Sequence, residues 1–328
     1  MHLHEFVMSK AGADNLTPKD RQRLLAEAGL MAEPLGMQSR LPRWLAAVGA
    51  GLLGLGVMFW VAAHWGHWGP VEQVSLIGAG LLLAGAAAAW AKGPLRLAAG
   101  LLAFALLGAL FATIGQRYQT GADAWQFFAA WALLGLPLAL GIRSDLVWAP
   151  WALISATGVA AWVHTHSAHR WRFEAQDLTP QLTGWLFSWA LVALLAWPLK
   201  RYAGAGGWSL RLALLCATGL VAGSAAGGLF APELSPQFCL GLALVLCALM
   251  AFWQRVMFDV FALSVLALAA NGLVLLGLGR WLLSDVQGDP FFRMLLLGLI
   301  STALLSASVK LILRRNAQMD HLAERAGL

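Results

Sequence analysis

From Trp44 to Leu313 the chain is a succession of Leu-, Ala-, Val- and Gly-rich runs, many of them near 20 residues long and almost free of charge. No other feature restricts the fold as much. A helix rises 1.5 Å per residue, so about 20 apolar residues cross a hydrocarbon layer of about 30 Å. Inside lipid each run must satisfy its own backbone N–H and C=O groups, which a helix does and an isolated strand does not. The expected class is therefore all-α, a polytopic integral membrane bundle of about ten transmembrane helices. Hydropathy places these spans near 44–63, 74–90, 97–114, 125–141, 146–163, 182–199, 210–230, 238–253, 256–283 and 291–313. Only 12% of the residues are charged, against about 25% in soluble domains. The organisation reads as an N-terminal arm (1–43), a transmembrane domain (44–313) and a polar C-terminal tail (314–328).

The net charge of +6 needs no nucleic acid to explain it. Lys and Arg collect on the cytoplasmic side of membrane proteins and set their orientation. With the N-terminus inside, 17 of the 22 basic residues fall on one side. The remaining five are Arg117, Arg170, Arg172, Arg280 and Arg293. That asymmetry predicts both termini cytoplasmic, with loops 64–70, 115–123, 164–180, 231–236 and 284–290 outside. In the arm, Thr17 and Pro18 read as the start of a short helix through Leu24, Leu25 and Ala28. Thr caps well and Pro suits the first helical position. Such a helix offers a place on the bilayer surface or a contact for a membrane or cytoplasmic protein partner.

The densest polar run between two apolar segments is 114–126, with Gln116, Arg117, Tyr118, Gln119, Asp123 and Gln126. Polar and ionisable groups near the membrane are costly unless paired or wetted, so they mark a candidate ligand-binding site. Gly115 and Gly121 would supply the turns. Asp123 has a structural alternative, because an acidic residue just before a span caps its N-terminus.

Two stretches carry a resemblance. The segment Phe59-Trp60-Val61-Ala62-Ala63-His64-Trp65, followed by Gly115-Gln116-Arg117-Tyr118-Gln119-Thr120-Gly121-Ala122-Asp123, resembles the bacterial family called "domain of unknown function 2157". The likeness covers roughly Thr17 to Leu146 and is most specific at Gln-Thr-Gly-Ala-Asp. It implies a multi-pass protein of the bacterial cytoplasmic (inner) membrane with a short soluble N-terminal segment. It implies no reaction.

Five of the eight histidines fall on the presumed outer side: His64 and His67, then His164, His166 and His169. Imidazole binds zinc or copper, so convergence of the two clusters would make a metal site. Isolated interfacial histidines are the plainer reading, and without convergence no cofactor is expected. Other features point to packing. Gly219, Gly223 and Gly227 put small residues on one helix face, where another backbone can approach. Interface anchoring accounts for tryptophans such as Trp148, Trp151, Trp185 and Trp208. Cys216, Cys239 and Cys247 form no Cys-x-x-Cys pair and read as small buried residues. Arg255 and Asp259 stand at i, i+4 spacing, suited to a pair on one helix. Asn271, Ser301, Thr302, Ser306 and Ser308 suit either interhelical hydrogen bonds or a polar path.

No Gly-rich phosphate loop, His-Glu-x-x-His or Gly-x-Ser-x-Gly motif is present, so motif support for catalysis is thin. Three classes of function stay open. One is transport or lipid handling at an outer-face site around Gln116–Asp123. Another is a structural or partner-binding membrane subunit. The third is a metal-dependent membrane enzyme using the outer histidines.

Overall fold

The computed structural model describes residues 17–27, 37–63, 66–118, 121, 123–167, 178–231, 235–284 and 290–325. Among them the chain is helical with no strand. The helices are α1 (Pro18–Glu27), α2 (Met37–Ala63), α3 (Pro70–Trp90), α4 (Pro94–Tyr118), α5 (Ala124–Ile142) and α6 (Asp145–His166). They continue as α7 (Leu178–Ala196), α8 (Pro198–Tyr202), α9 (Gly207–Leu229), α10 (Pro236–Trp253), α11 (Val260–Ser284) and α12 (Pro290–Arg325). Nine helices among the described residues are long and apolar enough to cross a membrane. Trp44–Trp60, within α2, is a shorter apolar stretch. The all-α polytopic class is thus the observed one.

Local chemistry sets several boundaries. The Thr17 hydroxyl donates to the Asp20 carboxylate, and the Asp20 N–H returns a bond to Thr17 Oγ at 3.3 Å. That exchange starts α1 where the arm was expected to become helical. Pro70, Pro94, Pro198, Pro236 and Pro290 each open a helix, where the missing N–H costs nothing. The span expected to begin at Val256 begins at Val260 instead. Asp259 stops it by accepting the Ala262 N–H at 2.9 Å. The span expected to end at Leu313 continues as helix to Arg325.

α9 is the hub, packing against α6, α7, α10 and α11. The main core gathers Trp148, Trp185, Leu195, Leu214, Val221, Val245, Leu263 and Leu266 around it. A smaller core, with Ile77, Ala84, Ala103, Leu106 and Ala109, joins α3 to α4, and α2 lies along α4. α12 packs along α11.

Several expectations about helix faces are overturned. Gly219 and Gly223 lie on an exposed face of α9, and a Cβ on either would meet nothing within 4 Å. The buried face of α9 carries Ala213, Ala217, Val221 and Ala225 instead. The close approaches that need glycine are elsewhere, at Gly108 beneath the Trp131 ring and Gly135 beneath the Phe104 ring. Trp148, Trp151 and Trp185 are buried rather than interfacial. Each indole N–H is satisfied, by Ala203 O at 2.8 Å, Ala132 O at 2.8 Å and Ser224 Oγ at 2.9 Å respectively. Cys239 and Cys247 are exposed, and only Cys216 is partly buried. Arg255 does not share a helix with Asp259, since both stand in the 254–259 connection. Arg211 takes the carboxylate instead, at 3.0 Å. Asn271 donates to Ser308 Oγ at 2.9 Å, which makes that pair an interhelical tie.

Candidate functional site

The site is built where α4 and α5 part company. Midway along their length the two helices are locked. Phe104 and Trp131 lie with ring centroids 5.5 Å apart, each over the other helix's glycine. The Trp131 indole donates to Phe104 O at 2.9 Å. Bulky side chains at Gly108 and Gly135 would force the helices apart, because the rings occupy that space. Beyond this lock, toward Tyr118 and Asp123, a cleft of about 760 Å³ opens between them.

The cleft has an apolar floor and a polar mouth. Phe111, Phe127 and Ala130 form the floor. Phe111 and Phe127 meet edge to face at 6.5 Å, and Phe127 continues to Trp131 at 5.7 Å. Gln116, Asp123 and Gln126 line the mouth, and all three are exposed. The expected polar run is therefore split differently from a simple loop. α4 runs through Tyr118, so Gln116, Arg117 and Tyr118 belong to its last turn. Gln, Arg and Tyr tolerate a helix, and Gly115 is helical rather than a turn. The left-handed position is Gly121, with φ of 66°. Gln119 lies outside the described residues.

Asp123 stands at the N-cap of α5 with extended backbone, φ −66° and ψ 152°. Its side chain makes no capping hydrogen bond. The turn is closed by the Asp123 carbonyl, which accepts the Gln126 N–H at 3.0 Å. Among the described residues no cation pairs with the Asp123 carboxylate. A carboxylate at a helix N-terminus is favoured by the macrodipole, yet here it stays available to a group entering the mouth.

The histidines divide. His67, His164 and His166 are exposed, while His64 and His169 lie outside the described residues. The His166 ring stacks on Trp162 at 4.4 Å and lies 6.0 Å from Trp125. Its Nδ1 sits 2.9 Å from Trp162 O. Among the described residues no group of three His, Cys, Asp or Glu side chains is placed to hold a metal ion. The aromatic floor went unread in the sequence, since Phe111 and Phe127 look like any lipid-facing residues of an apolar span.

The opposite end of the bundle is organised by charge. Asp145 opens α6 and accepts from the backbone N–H groups of Gly206 at 2.8 Å, Trp208 at 2.8 Å and Ser209 at 3.1 Å. The Ser209 hydroxyl adds a bond of 2.6 Å. Three orphan donors at the start of α9 are thereby satisfied by one carboxylate. Arg96 donates to Gly141 O at 2.9 Å, and Arg315 to Trp253 O at 3.2 Å.

The sequence profile of a family described as "Predicted membrane protein (DUF2157)" matches residues 12–148. The resemblance carried by Phe59–Trp65 and Gly115–Asp123 therefore extends over α1 to the first turn of α6 and includes both walls of the cleft. No curated protein and no solved structure matched the chain.

Proposed function

We propose that this multi-pass membrane protein handles an amphiphile, lodging its apolar part in the α4–α5 cleft and its polar head at Gln116, Asp123 and Gln126. The observation that carries the reading is the pairing of an aromatic floor with a polar mouth on one 760 Å³ cleft. Binding sites for small molecules are mostly apolar with a few placed polar groups. Between two spans, the apolar molecule at hand is a lipid or a lipid-like compound. Asp123, which caps nothing through its side chain, suits an ammonium. The amides of Gln116 and Gln126 suit phosphate or hydroxyl oxygens. The charge asymmetry supports an outer-leaflet position for the mouth and cytoplasmic termini. The family likeness supports a bacterial inner membrane.

The test is photo-crosslinking in reconstituted bilayers with phosphatidylethanolamine carrying a diazirine in its acyl chain. The expected result is labelling within 111–130 that Ala130→Trp removes by filling the floor. Labelling of that peptide at the same level in Ala130→Trp would overturn the reading, provided the variant elutes and unfolds like the parent protein.

A further inference from the structure

We propose a second lipid site, for an anionic phospholipid, on the outer face of α12 at the opposite end of the bundle from Asp123. Leu305, Ser306, Val309, Lys310, Leu313 and Arg314 form a shallow, open face of this one helix there. Two rows at helical spacing compose it. Leu305, Val309 and Leu313 form an aliphatic strip at i, i+4 and i+8. Lys310 and Arg314 stand one turn apart beside it.

Depth places the cations at the headgroups. From Pro290 to Lys310 the helix climbs 20 residues, about 30 Å, which is the thickness of the hydrocarbon core. The face is also turned to lipid, since the apolar window of α12 is only 6% buried. Two like charges at i, i+4 repel in the absence of an anion between them. Protein does not supply one among the described residues. Asp145 is committed to Gly206, Trp208 and Ser209. Asp259 is committed to Arg211 and Ala262. Neighbouring Arg315 is turned away to Trp253, whose carbonyl accepts from it and whose ring lies 5.6 Å beneath it. Lys310 and Arg314 are exposed beside the aliphatic strip. A phosphate between these two cations, with an acyl chain along Leu305, Val309 and Leu313, satisfies both rows at once. Charge selects the anionic headgroup, and the strip selects a lipid over a free anion.

The experiment titrates the purified full-length protein in neutral detergent with phosphatidylglycerol carrying a fluorescent acyl chain, and measures saturable binding. Each cation near a membrane surface contributes about a fivefold change in affinity to an anionic lipid. Lys310→Gln with Arg314→Gln should therefore weaken the saturable component about 25-fold. Lys200→Gln with Arg201→Gln removes the same charge from the same end and should leave it unchanged, as should Lys310→Arg. Inorganic phosphate should compete poorly, and phosphatidylcholine of the same chain length should bind outside the saturable component. An equal loss in the Lys200–Arg201 control would mean a diffuse charge effect and overturn the site. Full competition by inorganic phosphate would make it a free-anion site. A dimer that the Lys310–Arg314 variant dissociates would show that a second copy covers the face, and would overturn the proposal too.

Discussion

Two regions of this bundle, the cluster around Asp145 and the mouth of the α4–α5 cleft, use polar residues near helix termini in opposite ways. Around Asp145, polar side chains cross from one helix to the next and close on backbone groups or, for Arg211, on a carboxylate. Arg96 reaches Gly141, Asp145 reaches the start of α9, Arg211 reaches Asp259, and Arg315 reaches Trp253. Gly204, at φ 74°, lets the α8–α9 connection lie against the Arg143 carbonyl so closely that a Cβ would overlap it. At the mouth of the α4–α5 cleft the comparable polar residues line an opening, although elsewhere at that end Arg280 donates to Ala231 O at 3.3 Å and Arg293 to Leu282 O at 3.0 Å. Gln116, Asp123 and Gln126 are exposed around a cleft. The contrast teaches that charged residues near a membrane are not equivalent signals. Those gathered around Asp145 are consumed in fastening helices, whereas Gln116, Asp123 and Gln126 keep hydrogen-bonding capacity for a ligand.

Removing the strongest fastening gives the largest expected effect. Asp145→Ala strips one acceptor group from three backbone N–H donors and the Ser209 hydroxyl. Hydrogen bonds to a charged group are worth more than neutral ones, and the donors left behind are partly buried. The expected loss is about 2–4 kcal/mol, read as a lowered midpoint of unfolding in detergent. Asp145→Asn, which keeps one acceptor oxygen, should lose less. An unchanged midpoint for Asp145→Ala would erase the distinction between the two regions.

The middle of α9 supplies a smaller effect and a lesson about legibility. Run length and charge distribution made the all-α class and nearly every span readable, because the bilayer imposes one length on each crossing helix. What they do not encode is rotation. A membrane helix is apolar on its lipid face and its packed face alike, so the pattern that orients a soluble helix is weak. The glycine stripe of α9 therefore reads as an interface, yet at Gly219 and Gly223 it is open. Trp148 and Trp185 looked like anchors and are core. The Arg211–Asp259 pair joins residues 48 apart in sequence, a contact that local spacing misassigned to Arg255. The mouth of the cleft was legible, since polar residues stand out against Leu and Ala. Its Phe111 and Phe127 floor was not, since its residues look like their surroundings. Gly223→Leu tests the rotation directly. With nothing within 4 Å of the added Cβ, overpacking is absent and helix propensity favours Leu. Stability should change by less than about 1 kcal/mol. A loss in the 1–3 kcal/mol range typical of overpacking would mean that the face is covered in the bilayer.

Asp123 has the smallest expected effect on stability and the sharpest on binding. Were it a working cap, Asp123→Leu would cost about 1 kcal/mol, and Asn would replace Asp almost without loss. The carboxylate, however, makes no bond to the backbone of α5, whose first turn is closed by the Asp123 carbonyl. What remains is the attraction of a negative charge to a helix N-terminus, a few tenths of a kcal/mol for an exposed group. Both Asp123→Asn and Asp123→Leu should therefore unfold within about 0.5 kcal/mol of the parent protein. Binding should separate them from it. Each substitution removes the charge opposite an ammonium headgroup, so each should reduce photolabelling by the ethanolamine lipid. Restoring the charge with Asp123→Glu should recover part of it. A destabilised Asp123→Leu beside a fully stable Asp123→Asn, with labelling unchanged in both, would assign Asp123 to capping. The Asp123 carboxylate would then serve its own helix, and the cleft would lose that charge at its mouth.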